Sequence, residues 1–397
     1  MLDLFSDEMR RNPFAVYDQL RASSPAFKVP PPFDAWMIFD YDGVKRVLND
    51  HGAFSSCVPA PRNWFIFLDP PQHTKLRALI SRAFTPRVAS ALEARVQVLS
   101  CNLLDGIVDR GEIDLAADFA VPLPMMVIAE LIGIPSADWE RFSGWSNVIL
   151  RLSYTRSGGA EAVQAGVDFT AVTVEMNDYL TTMIAERRTT PKDDLLTRLV
   201  EAEVEGERLT QEEILGFFQL LIVAGQETTT NLINNTILCL IENPGELSRL
   251  REAPDLLPGA IEEVLRFRSP IQWMMRTPRR DIEMHGQSIS AGALVLPMIG
   301  SANRDPKQFP DANRFDIRRD PNPHLAFGHG IHSCLGAALA RMEARIALSN
   351  LLERVEEIEL AGTEPWVPRK ALQVYGPSSL PIRIQPRRKF NGGSSRA

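Results

Sequence analysis

The stretch FGHGIHSCLG, residues 327–336, stands just ahead of the last long helical pattern in the chain. It sets Cys334 behind two glycines and two histidines, at the point where a helix is due to begin. Such a cysteine is either an inert small hydrophobe in a buried turn or a thiolate held for a purpose. Gly328 and Gly330 permit tight turns that carry backbone close to a flat partner, and Gly336 removes a side chain that would collide with one. A helix starting at Cys334 would aim unsatisfied N–H groups and the positive dipole end at the sulfur. Phe327 is placed to cover it from water.

The other cysteines, Cys57, Cys101 and Cys239, are scattered, with no C-x-x-C pair. Zinc spacing and a disulfide framework are both missing, which suits a reducing cytoplasm. With 397 residues, 45% of them hydrophobic, the chain can bury a core large enough to enclose a sizeable ligand. A net charge of −7 argues against general nucleic-acid binding. The opening MLDLFSDEMRRNP is acidic and broken, unlike a signal peptide, and no apolar run approaches the roughly 18 residues of a membrane span.

Periodicity predicts many helices and few strands. Asn12 as cap and Pro13 at the first position open a helix to about Ala22, AWMIFD (35–40) is a strand, and a short helix follows. Residues 55–67 are a loop, followed by a helix from Pro70 or Pro71 to about Phe84. Helical patterns run from Val88 to Val204, and the break Arg156-Ser157-Gly158-Gly159 is a candidate mobile lid. A helix of about 30 residues spans Thr210 to Glu242, far beyond the usual ~11 or 12. Another runs from Pro258 to before Pro270, strands fall near 281–283, 293–298 and 381–385, and the final helix runs from Leu335 to about Arg354. The expected organisation is one domain over 1–388, with a disordered tail at 389–397.

Phe327, Gly330, Cys334 and Gly336 fill the pattern F-x-x-G-x-x-x-C-x-G, which resembles the haem-binding signature of the cytochrome P450 superfamily. The resemblance implies a mainly α fold, a triangular helical prism with a small β-rich lobe. It makes Cys334 the thiolate ligand of haem b, with Phe327, Gly328 and Gly336 around it. The other family motifs follow in order. Glu263-Val264-Leu265-Arg266 puts a carboxylate and a guanidinium on one helix face. Such a pair means little alone, but Arg319 matches the arginine that completes the family's buried Glu–Arg–Arg network. By the resemblance these three are structural.

AGQETT, residues 224–229, lies in the middle of the very long helix, where Gly225 weakens it by about 1 kcal/mol relative to alanine. Heterolytic cleavage of an O–O bond needs protons delivered where bulk water is excluded, and an alcohol backed by a carboxylate meets that need. The resemblance makes Thr228 the alcohol and Glu227 the acid, with Ala224 and Gly225 against the haem. Many relatives carry aspartate where this chain has Glu227. Two haem propionates need cations or donors when buried. His73 and Arg77, four apart on one helix face, with Arg276 and His332, match propionate partners of bacterial relatives. The resemblance assigns no role to His324 or His329.

The implied activity is a monooxygenase that inserts one atom of O2 into an organic substrate. No flavin, nicotinamide or iron–sulfur motif is present, so the implied electron source is a ferredoxin or flavodoxin with its reductase. Lys75, Arg77, Arg82 and Arg87, joined by Arg341 and Arg345, form a candidate docking patch for that acidic donor. By position in the family pattern, Trp64, Phe65, Leu221, Gln272, Trp273 and Met274 line the substrate pocket, with Arg62 nearby, which suggests a largely apolar substrate. A peroxide-driven peroxygenase and a non-enzymatic haem gas sensor are the alternatives. The Glu227–Thr228 pair speaks against both.

Overall fold

Thr210 caps the helix on which the fold hangs. Its hydroxyl accepts from the Glu213 N–H at 3.2 Å, and its own N–H donates to the Glu213 carboxylate at 2.7 Å, a reciprocal capping box. From there the long helix, Gln211–Glu242, runs without interruption. The computed structural model describes residues 6–31, 34–57, 64–151 and 160–387. The predicted lid break at 156–159, Arg62 and the 389–397 tail lie outside them.

The second half of the long helix is buried on every side, from Thr229 to Leu240, so it is apolar or internally satisfied all round. The helices Pro122–Ile132, Leu257–Phe267 and Ala337–Arg354 pack against it. Gly225 permits the closest of these approaches, since a Cβ there would lie 2.7 Å from Ile128 Cδ1. The missing side chain of Gly225 makes room for Ile128 of the Pro122–Ile132 helix.

The strands form small sheets. Ala35–Ile38 pairs antiparallel with Ala26–Val29 and parallel with Leu294–Pro297, in the registers Ala26↔Ile38 and Ala35↔Leu294. Pro381–Pro386 lies between Val355–Leu360 and Glu112–Asp114. Two predicted boundaries shift. Asn12 closes a short helix, Asp7–Arg11, which Ser6 caps, and the next helix starts at Phe14. The final helix begins at Ala337 instead of Leu335, because Gly330–His332 forms a 3-10 turn and the Cys334 N–H closes onto the Phe327 carbonyl at 2.8 Å.

Glu263 and Arg266 have no exposed surface and pair through two hydrogen bonds of 2.7 and 2.8 Å. Arg266 also donates to the carbonyls of Asn303, Ala312 and Arg314. Glu263 accepts from Arg319, Asn322 and the Asp316 N–H. A buried pair is tolerable only when its remaining donors and lone pairs are used in this way. The segment 303–322 is therefore wound around a charge pair, and the cysteine loop follows directly from it.

Replacing Arg266 by leucine should leave Glu263 under-compensated and lower the unfolding free energy by about 3–5 kcal/mol, measured by urea denaturation. Arg383→Leu, which removes an exposed pair with Glu359, should cost less than about 1 kcal/mol in the same assay.

Candidate active site

Gly328 and Gly330 adopt φ of 72° and 74°, the left-handed region that glycine enters without penalty. They fold the cysteine loop so that Cys334 stands inside the molecule with its side chain still accessible. Burial pushes the thiol pKa up; a hydrogen bond from the Gly336 backbone N–H, then the charges of Arg77 and Arg341, oppose it. The helix start three residues past Cys334 does not remove the donor expected there, because the Gly336 N–H still reaches the sulfur. A Cβ on Gly336 would meet no atom within 4 Å, so that side of the turn is open. Arg341 lies 4.4 Å over the Phe327 ring and fixes it beside the loop.

His73, Arg77, Arg276 and His332 come together from three separate parts of the chain. The His73 and His332 rings are 4.1 Å apart, and neither ring has a hydrogen-bond partner on either nitrogen. Burial, with added repulsion from neighbouring positive groups, pushes the His332 pKa down to about 3 and lowers that of His73. Burial likewise lowers Arg276 to about 10, and Arg77 is depressed for the same reason. The nearest acid, Asp69, is already engaged by Ser55, the Ser56 N–H and Arg279. Two guanidinium groups and two imidazoles with all four ring nitrogens unpartnered thus face no free acid. That donor set fits the two carboxylates of a haem, with Cys334 as the residue that would hold its metal.

On the long helix, Ala224 is exposed although the helix runs through the interior. The Thr228 hydroxyl donates to the Ala224 carbonyl at 2.6 Å, the competition expected of a threonine four residues on. Glu227 is 4% exposed, and burial lifts its pKa to about 7 against the opposing charge of Arg369. Its Oε1 has no partner.

The six predicted pocket residues do not form one group. Trp64 donates to Gln219 at 3.2 Å and Phe65 packs against Phe217 and His73, both in the main core, with Leu221 against its edge. Gln272 and Trp273 face elsewhere. Gln272 donates to the Ser269 carbonyl and fills the space over Gly300. Trp273 donates to the Leu372 carbonyl within a separate core with Phe14, Tyr17 and Tyr375. Both are buried, whereas Met274 is half-buried at the edge of another cluster.

The docking patch is also reduced. Lys75 pairs with Glu207, Arg82 with the Glu203 carbonyl, Arg341 with Glu262 through bonds of 2.6 and 2.7 Å, and Arg345 with Glu93. Glu262 also binds His324 at 3.0 Å, which gives that histidine a structural place. Nothing in the one-dimensional pattern marks which cations are paired within the fold. No helix among the described residues is long and apolar enough to cross a membrane.

A cytochrome P450 family model matches residues 164–377. The chain is 43% identical over 377 residues to the putative cytochrome P450 YjiB of Bacillus subtilis (strain 168), across 94% of each. It is 36% identical over 403 residues to the vitamin D(3) 25-hydroxylase of Pseudonocardia autotrophica, across 97% of each. The crystal structure of CYP109E1 from Bacillus megaterium in complex with testosterone matches with a TM-score of 0.87 and 40% identity, covering 94% of this chain and 99% of that one. The chain belongs to the cytochrome P450 family, and its activity is that of a haem-thiolate monooxygenase.

Proposed function

We propose that Cys334 would supply the thiolate ligand of a b-type haem, and that the enzyme hydroxylates a largely apolar substrate of steroid size. The observation that carries the haem assignment is the anion-deficient cluster of His73, Arg77, Arg276 and His332 around an accessible cysteine. The substrate class is supported by the relatives, one a vitamin D(3) hydroxylase and one crystallised with testosterone, and by the apolar Leu221 and Met274.

When bound, the haem supplies the oxidising chemistry, one oxygen atom of O2 entering the substrate and the other leaving as water. The chain holds and protects it. His73 and His332, neutral here, each have a ring N–H to donate to a propionate, while Arg77 and Arg276 supply charge. Thr228 holds a proton at Oγ1, and Glu227 replaces that proton from a carboxyl whose pKa of about 7 keeps the acid form populated near neutrality. Electrons come from a ferredoxin or flavodoxin with its reductase, docking on the basic surface that includes Arg87.

The oxidised protein should show a thiolate-haem spectrum that shifts toward high spin on steroid titration. Cys334→Ala should abolish the thiolate signature, and its persistence would overturn the assignment. Thr228→Ala should divert reducing equivalents to peroxide with haem content unchanged. Because the donor is the protonated carboxyl, product formation should fall as pH rises through about 7, and Glu227→Gln should remove that limb. Neutralising Arg87 should flatten the salt dependence of electron transfer, measured by stopped-flow reduction.

A further inference from the structure

Glu227, Asn231 and Asn235 recur at i, i+4 and i+8, so they form one stripe along the long helix. The two asparagines have no exposed surface. Asn235 is anchored, its amide donating to the carbonyls of Arg268 at 3.1 Å and Tyr375 at 3.0 Å. That anchor sets the stripe against the segment 369–376. A Cβ at Gly376 would lie 2.4 Å from Asn231 Oδ1, so only a residue without a side chain fits there. The Gly376 carbonyl in turn accepts the Arg369 N–H at 3.0 Å.

Across this contact, Glu227 Oε1, both amide atoms of Asn231 and Arg369 Nε are buried without a hydrogen-bond partner. Buried polar groups of this kind are ordinarily satisfied, by protein or by ordered water. A cavity of ≈ 70 Å³, lined by Arg10, Gln272, Arg369, Tyr375 and Gly376 among others, borders the same segment. At the surface, Arg10 reaches the Lys370 carbonyl at 3.3 Å. Among the four groups, Arg369 lines the cavity, and its volume exceeds the roughly 10–15 Å³ that one water needs.

We propose that Arg369 and Asn231 form, with Glu227, the route by which solvent protons reach the active site. The inference rests on the reading of Glu227 and Thr228 as acid and alcohol. Water from the cavity is held between Arg369 and the Asn231 amide, and it re-protonates Glu227 after each transfer to Thr228. A proton leaves a hydrated donor in the cavity and becomes the carboxyl O–H of Glu227; no electron moves. Asn231 and Arg369 gain and lose no proton, so they are positioning residues.

The test compares Asn231→Leu and Arg369→Gln with Glu227→Gln in the haem-loaded enzyme. Both positioning variants should lose about 10- to 100-fold in reductase-driven turnover, the scale of residues that act through another group. They should enlarge the solvent deuterium isotope effect and keep wild-type turnover with iodosylbenzene, an oxygen-atom donor that needs no protons. Asn231→Ser, which keeps a donor and an acceptor, should recover much of the loss. Infrared titration of the resting enzyme should place the Glu227 carboxyl band higher in pH in Arg369→Gln, because a cation that favours ionisation is gone. Wild-type isotope effects and an unmoved carboxyl in both variants, with Glu227→Gln impaired, would overturn the route alone. An equal loss with iodosylbenzene would show a structural role and overturn it too. A silent Glu227→Gln would overturn the acid assignment and the route together.

Discussion

The Glu263 carboxylate is the constraint on which the rest of the molecule depends. Taking a carboxylate and a guanidinium wholly out of water is expensive, and the cost is offset only when every lone pair and donor is used. Here that requirement dictates the course of the chain from Asn303 to Asn322, whose carbonyls and amides close around the pair. The cysteine loop begins where this wrapping ends. The wrapped segment thus delivers the chain to the start of the loop.

The opposite imbalance prevails above the cysteine. Around His73, Arg77, Arg276 and His332 positive groups gather with no acid free to answer them, and burial keeps the imidazoles neutral. A fold that satisfies Glu263 so fully, yet leaves these nitrogens unsatisfied, has placed its polarity for a ligand. The same contrast separates Glu262, claimed by Arg341 and His324, from Glu227, whose proton is held by desolvation.

Much of this was legible in the residues. The length of the 211–242 helix, the Glu–Arg spacing, the glycine turns and the cysteine all follow from local rules that side chains obey wherever they sit. What the pattern could not carry was direction. Between Pro270 and Arg276 the chain is extended, so successive side chains point to opposite sides. Trp273 and Met275 enter one core while Met274 lies against another, and apolar character alone does not say which side is the pocket. Pairing of surface cations was hidden for a similar reason: the partners of Arg341 and Arg345 are 79 and 252 residues away. Asn231 and Arg369 gave no motif at all, since an asparagine inside a helix is unremarkable until its neighbours prove to be unsatisfied.

Gly330 joins two parts of the molecule in a way its turn geometry does not reveal. Beyond its positive φ, a Cβ at this position would stand 3.0 Å from the Asn49 Cα and 3.2 Å from the Leu48 carbonyl. The cysteine loop thus rests directly on the end of the helix Tyr41–Asn49, against the Leu48 and Asn49 backbone and the Asn49 side-chain oxygen. A side chain at this position would have to push the helix and the loop apart, so the absence of one at Gly330 sets how closely the N-terminal lobe seats against the segment that carries Cys334.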